Sequence, residues 1–153
     1  MKNRELKLKD IAGYLPYGLN YMNVRKQNTF TIFDHLHNLI KDSEYIKPIL
    51  RPLSDLYKPI THNGKEQTPI LELAKMQGGF TWRIGINKAV TEYGDEFYYY
   101  GKSFVFNNSK GEPKEIIFQY ELFDYLQELK IDYRGLIDAG LAISVYDLDK
   151  VEI

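Results

Sequence analysis

Phe97-Tyr98-Tyr99-Tyr100-Gly101-Lys102-Ser103-Phe104-Val105-Phe106 consists of two aromatic, β-prone runs divided by Gly-Lys. The pattern predicts an antiparallel hairpin closed by a two-residue type II′ turn, with glycine at the position that needs φ > 0. Such a turn sets the register: Tyr100 opposite Ser103, Tyr99 opposite Phe104, Tyr98 opposite Val105 and Phe97 opposite Phe106. Side chains alternate along a strand, so one face receives Phe97, Tyr99, Phe104 and Phe106, an apolar layer fit for a core. The other receives Tyr98, Tyr100, Ser103 and Val105, half polar and suited to a partner surface.

Outward from the hairpin, turn residues Asn108-Ser109-Lys110-Gly111 lead to an expected third strand over Lys114 to Phe118. Residues 119–130 carry Leu122, Phe123, Leu126 and Leu129 at three- and four-residue spacing, the signature of an amphipathic helix. A shorter helix is predicted through Arg134 to Ala139, ended by Gly140. Upstream, Thr68-Pro69 opens a helix that runs toward Gly78-Gly79, and His62-Asn63-Gly64-Lys65 reads as a turn. Ile46 to Leu56 contains Pro48 and Pro52 and reads as extended chain, expected at a sheet edge or across a sheet face. Leu19 to Val24 and Thr29 to Phe33 alternate with period two and are expected to pair about a Gln27-Asn28 turn. Lys9 to Tyr14 has room for one or two helical turns before Leu15-Pro16-Tyr17-Gly18. Helices on one face of an antiparallel sheet make this an α+β chain.

The 153 residues are expected to form a single domain, 1–153, with no repeat or linker inside it. With 44% hydrophobic and 27% charged residues, the composition is that of a globular core-forming chain. There is no cysteine, which excludes disulfides, zinc-thiolate sites, iron–sulfur clusters and thiol nucleophiles. That usage, and an N-terminus without the apolar region of a secretory signal, lead to the expectation of a cytoplasmic protein. No run approaches the ~18 apolar residues of a membrane span, so no membrane partner is expected. A net charge of −1 gives no general attraction to nucleic acid. The charge is uneven: residues 1–26 hold six cations against two acids, and residues 119–153 hold eight acids against three cations. Such ends are solvated, neighbours in the fold, or poles that orient a charged partner.

The constellations of enzyme chemistry are thin. His35 and His37 flank Leu36 beside Asp34 and would share one side of an extended chain, with His62 as a remote third ligand. Leu36, Leu39 and Ile40 fit a helical face equally well. No Gly-x-Ser-x-Gly elbow, Ser-x-x-Lys pair or phosphate-binding glycine loop is present. Asp95-Glu96 would point to opposite faces of a strand, and Asp147 with Asp149 lie near the C-terminus. No catalytic residue, metal or cofactor is therefore assigned, and the chain is read as a non-enzyme.

Aromatic and basic residues interleave twice: Tyr98, Tyr100 and Lys102 on the hairpin, and Lys47, Arg51 and Lys58 with Tyr57 on or near the proline segment. Such groups pack beneath helices, anchor a protein interface, or stack on bases beside phosphate-contacting cations.

Three stretches, Asp10-Ile11-Ala12-Gly13-Tyr14-Leu15-Pro16-Tyr17-Gly18-Leu19, Tyr45-Ile46-Lys47-Pro48-Ile49-Leu50-Arg51-Pro52-Leu53-Ser54-Asp55-Leu56 and Gly135-Leu136-Ile137-Asp138-Ala139-Gly140-Leu141-Ala142-Ile143, resemble a group of small phage and prophage proteins. The resemblance implies an intracellular protein of a mobile element and brings no reaction, cofactor or catalytic residue with it. Leu129-Lys130-Ile131-Asp132-Tyr133 departs from the group's more aromatic, histidine-bearing pattern. The expected function is accordingly binding of a host protein or ribonucleoprotein complex, foremost as an anti-CRISPR-like inhibitor of a bacterial defence nuclease. The contact residues would be Tyr98, Tyr100, Lys102, Lys47, Arg51 and Lys58. The alternatives are a nucleic-acid-binding accessory protein and, last, a metal-dependent hydrolase using His35, His37 or the acidic pairs. The oligomeric state stays open.

Overall fold

The hairpin forms as its residues dictate. In the computed structural model, which describes residues 5–31, 40–78 and 81–148, strand β8 (Glu96–Tyr100) pairs antiparallel with β9 (Ser103–Asn107) in the register Tyr100↔Ser103 to Phe97↔Phe106. Gly101 takes a positive φ of 66° and Lys102 does not, as a type II′ turn requires.

The chain divides into two compact units, Met1–Leu53 with Leu126–Ile153, and Ser54–Tyr125. In the second unit, β6 (Trp82–Ile84), β7 (Ala89–Thr91), β8 and β9 form an antiparallel sheet in chain order. Phe97, Tyr99, Phe104 and Phe106 are all buried on one face. The Phe97 ring stacks on Phe104 at 5.5 Å, and Trp82 meets Phe106 edge-on at 5.7 Å. Each such side chain contributes roughly 1.5–3 kcal/mol by leaving water. Two helices border this sheet. The first, Pro69–Lys75, buries Ile70, Leu73 and Ala74 and lies against β6, β7 and β8. The second, Gln119–Glu128, presses Phe123 onto the Phe104 ring at 5.4 Å. A separate hairpin of β4 (Ile60–His62) and β5 (Lys65–Gln67) turns at Asn63 and Gly64, both at positive φ as a type I′ turn demands.

In the first unit the sheet order is β10-β3-β1-β2, where β1 is Asn20–Asn23, β2 Asn28–Thr31, β3 Ile46–Leu50 and β10 Ile143–Ser144. β1 and β2 pair as expected from their period-two pattern, but the turn spans residues 24–27 with Gln27 at positive φ, and Asn28, expected in the turn, is the first residue of β2 opposite Asn23. A one-turn helix, Leu8–Ile11, continues as a 3₁₀ segment, Ala12–Tyr17, that ends at Gly18 in the left-handed region. Leu6, Ile11, Tyr14, Leu19, Tyr21, Leu50 and Leu136 close the core.

Several expectations are corrected. The proline segment is extended only over Ile46–Leu50, an inner strand flanked by β1 and β10 and not a sheet edge, and from Leu53 it winds into a 3₁₀ segment, Leu53–Tyr57. Val24 N–H bonds Tyr45 C=O at 2.7 Å, and the alternation from that pair leaves Pro48 opposite Tyr21 in a non-hydrogen-bonded position. The short β10 begins only opposite Ile49, so neither neighbour calls on the N–H that Pro48 lacks. Lys114 to Phe118 is not a strand. After one bridge between Asn107 and Pro113, the buried Gln77 side chain takes the backbone of Ile117 instead, accepting its N–H at 2.9 Å and donating to its C=O at 2.8 Å. Residues 134–139 make a single turn and not a helix. The Asp132 carboxylate accepts from the N–H groups of Leu136 and Ile137, each at 2.8 Å. Four residues later Gly140, at φ 75°, ends the turn while Leu141 N–H returns to Leu136 C=O at 2.8 Å. With the cap and the stop so close, no further turn can wind.

Among the described residues no helix is long and apolar enough to cross a membrane.

Candidate functional site

Strand alternation aims Tyr98 and Tyr100 away from the phenylalanine layer. Tyr98 is half-buried, and Tyr100 keeps 75% of its surface in solvent. Beside them opens a groove of about 480 Å³ lined by Tyr57, Ile86, Lys88, Glu96, Tyr98 and Tyr100. Its far wall is the turn between β6 and β7, where Gly85 N–H bonds Lys88 C=O at 2.8 Å and Asn87 sits at φ 54°. That turn leaves Ile86 88% exposed at the rim.

The same turn ends β7 early. β7 pairs with β8 only as far as Ala89↔Phe97, while the closing pair of the hairpin directs the backbone of Tyr99 toward the β7 side. The Tyr57 hydroxyl stands there, accepting from Tyr99 N–H at 3.3 Å and donating to Tyr99 C=O at 3.5 Å. Burial pushes the Tyr57 hydroxyl pKa upward, against the opposing effect of its bond to Tyr99. The phenol therefore stays neutral and keeps its proton for the carbonyl.

Charge at the groove is mostly spent. Lys88 Nζ lies 2.5 Å from Glu96 Oε1 in a half-exposed pair, so these two neutralise each other. Lys102, in the turn after Tyr100, and Lys58, after Tyr57, are exposed and have no acidic partner among the described residues.

Of the six predicted contact residues, Tyr98, Tyr100, Lys102 and Lys58 thus belong to the Ser54–Tyr125 unit. Lys47 and Arg51 belong to the other, where each has local work. Lys47 Nζ donates to the Gly140 carbonyl, and Arg51 approaches the Tyr146 hydroxyl at 3.4 Å. Beside Lys47 is a hollow of about 860 Å³ whose lining mixes Glu5, Lys41, Glu44 and Lys47 with Leu6 and Leu141. It gathers no single charge and no acid–base pair.

Ile86, Lys88 and Glu96 are not among the predicted contacts, and Tyr57 enters the sequence reading only as the aromatic beside Lys58. A signal for two of them, Ile86 and Lys88, exists in Trp82-Arg83-Ile84-Gly85-Ile86-Asn87-Lys88-Ala89-Val90-Thr91, where Gly85 and Asn87 separate two short β-prone runs. Nothing local joins Tyr57 to the hairpin, 42 residues away in the chain. His35 and His37 lie outside the described residues, and among those described no three His, Asp or Glu side chains gather as metal ligands.

Compared with known proteins, the chain matches no family model, no curated protein and no solved structure.

Proposed function

We propose that this protein is a non-enzymatic, phage-type binding protein that engages a host protein or ribonucleoprotein complex and inhibits a bacterial defence nuclease. The observation carrying the binding role is the Tyr98–Tyr100 face: an exposed tyrosine beside a preformed groove, near Lys58 and Lys102, which have no acidic partners among the described residues. Tyrosines that present a large rigid surface with few rotors are the side chains that anchor interfaces, and partner-free lysines steer an acidic surface toward them. The phage assignment rests on the three resembling stretches, and the choice of a nuclease complex rests on that assignment.

The test is capture from a bacterial lysate followed by nuclease assays on the purified complex. Wild type is expected to retain a defence complex and lower its activity, and Tyr98→Ala with Tyr100→Ala to lose both effects. Recovery of no partner, or recovery unchanged by the double substitution, overturns the reading. Binding of single-stranded probes that falls steeply with salt would instead assign the face to nucleic acid.

A further inference from the structure

The Ser54–Tyr125 unit carries a second aromatic surface whose charge is opposite to that of the hairpin face. On helix Gln119–Glu128, the 100° step per residue places Tyr120 and Asp124 on the side opposite buried Leu122, with Glu121 on the adjoining flank. Tyr120 is 87% exposed, and the preceding Phe118 is 54% exposed. Glu115, Glu121 and Asp124 are exposed and have no cationic partner among the described residues. The segment is held in place: Gln77 clamps Ile117 from both sides, and Leu122 N–H bonds Phe118 C=O at 3.0 Å with Phe118 at φ 58°. A bulky residue is thus kept in a left-handed conformation that ordinarily favours glycine.

The two surfaces face apart. Phe123 covers the phenylalanine layer through Phe104, so the acidic side of the helix looks outward from that face of the sheet. Tyr98 and Tyr100 leave from the opposite face. One copy cannot bring its own two surfaces together.

We propose that two copies of this chain associate head to tail. The basic tyrosine face of one (Tyr98, Tyr100, Lys102, Lys58) docks on the acidic aromatic surface of the next (Phe118, Tyr120, Glu121, Asp124). The occupant is argued from complementarity: lysines beside tyrosines on one side and carboxylates beside Phe and Tyr on the other, none of them paired with an opposite charge among the described residues. A contact between two different patches is heterologous, so it closes into a ring or extends as a chain. Opposite charge fixes the orientation and disfavours the like-to-like arrangement. The inference does not rest on the host-partner reading. A copy seated on the hairpin face would compete with any host partner for it.

The test uses purified full-length protein alone, in sedimentation velocity from about 1 µM to about 1 mM, the range of small, charged interfaces. Association that rises with concentration and is lost near 1 M salt, where the screening length falls to ~3 Å, is expected. Lys58→Glu with Lys102→Glu, and separately Glu121→Lys with Asp124→Lys, should each weaken self-association roughly tenfold or more. Mixing the two reversed proteins should restore it, since each then offers a patch that complements the other. Circular dichroism establishes that both fold. Should one not, Lys102→Ala and Glu121→Ala, each weakening association of the folded protein, serve in its place. A monomer at every concentration, salt-independent association, or reversed proteins that do not associate when mixed would overturn the proposal.

Discussion

The Tyr57 hydroxyl contacts both backbone polar groups of Tyr99, accepting its N–H and donating to its C=O. A side chain thereby fills the place in the ladder that β7 leaves when it turns at Asn87. The strand edge behind the tyrosine face is capped by a phenol from a 3₁₀ segment, Leu53–Tyr57, that local sequence does not connect to the hairpin.

Tyr57→Phe keeps the ring and removes the cap. Stability should fall by about 1–2 kcal/mol in chemical denaturation, because the edge loses a partner while the ring still shields it from water. Hydrogen exchange at the Tyr99 amide should quicken. Unchanged exchange there would show that the hydroxyl does not hold the edge.

The two faces of the hairpin should respond oppositely to truncation. Phe97, fully buried, should cost ~3–5 kcal/mol as Phe97→Ala. Tyr100→Ala should stay within about 0.5 kcal/mol of wild type, since the ring is mostly in solvent already. A large loss at Tyr100 would mean that the ring serves the fold.

Two tyrosines in the first unit make a matched pair. Tyr14 donates its hydroxyl to Ile131 C=O at 2.7 Å, while the buried Tyr21 hydroxyl has no hydrogen-bond partner among the described residues. Tyr14→Phe should therefore destabilise by roughly 1–2 kcal/mol, and Tyr21→Phe should be neutral or stabilising by up to about 1 kcal/mol. Urea midpoints at neutral pH distinguish the two, and a loss at Tyr21 equal to that at Tyr14 would contradict the assignment.

Burial also pushes the Tyr21 hydroxyl pKa from 10.0 up to about 12. The folded state holds this proton more tightly than the unfolded state, so its contribution is complete below pH 10 and is lost as pH rises through about 12. Between those values wild type should lose stability that Tyr21→Phe retains. Parallel alkaline denaturation curves for the two proteins would refute this.

Lys130 sits at φ 59° just past helix Gln119–Glu128, where Lys130 N–H bonds Gln127 C=O and Ile131 N–H bonds Leu126 C=O. This is a left-handed helix stop built on lysine. Lys130→Gly should stabilise by about 0.5–1 kcal/mol, because glycine occupies that conformation without the Cβ clash. A lowered melting temperature would show that the lysine stem contributes more by packing.

The local patterns were legible wherever a residue's conformation answers to its neighbours. Alternation and Gly101 sufficed for the hairpin, its register and the choice of buried face. Leucine spacing marked helix Gln119–Glu128, and Gly140 marked a stop. Legibility failed where a distant group intervened. Lys114 N–H still bonds Phe106 C=O of β9, but Ile117 spends its backbone bonds on Gln77, so no strand forms over Lys114 to Phe118. Asp132 caps so near Gly140 that the expected helix shrinks to one turn.

By itself, then, the sequence determined the α+β class, the strands around Gly101 and the side of the hairpin that meets a core, since these follow from period and turn chemistry. Only the tertiary structure decided that Pro48 lies inside a sheet, that Tyr57 and Ile86 border the tyrosine groove, and that Lys47 already bonds Gly140. Those outcomes depend on which distant groups satisfy a given donor or acceptor, and no local pattern encodes such a pairing.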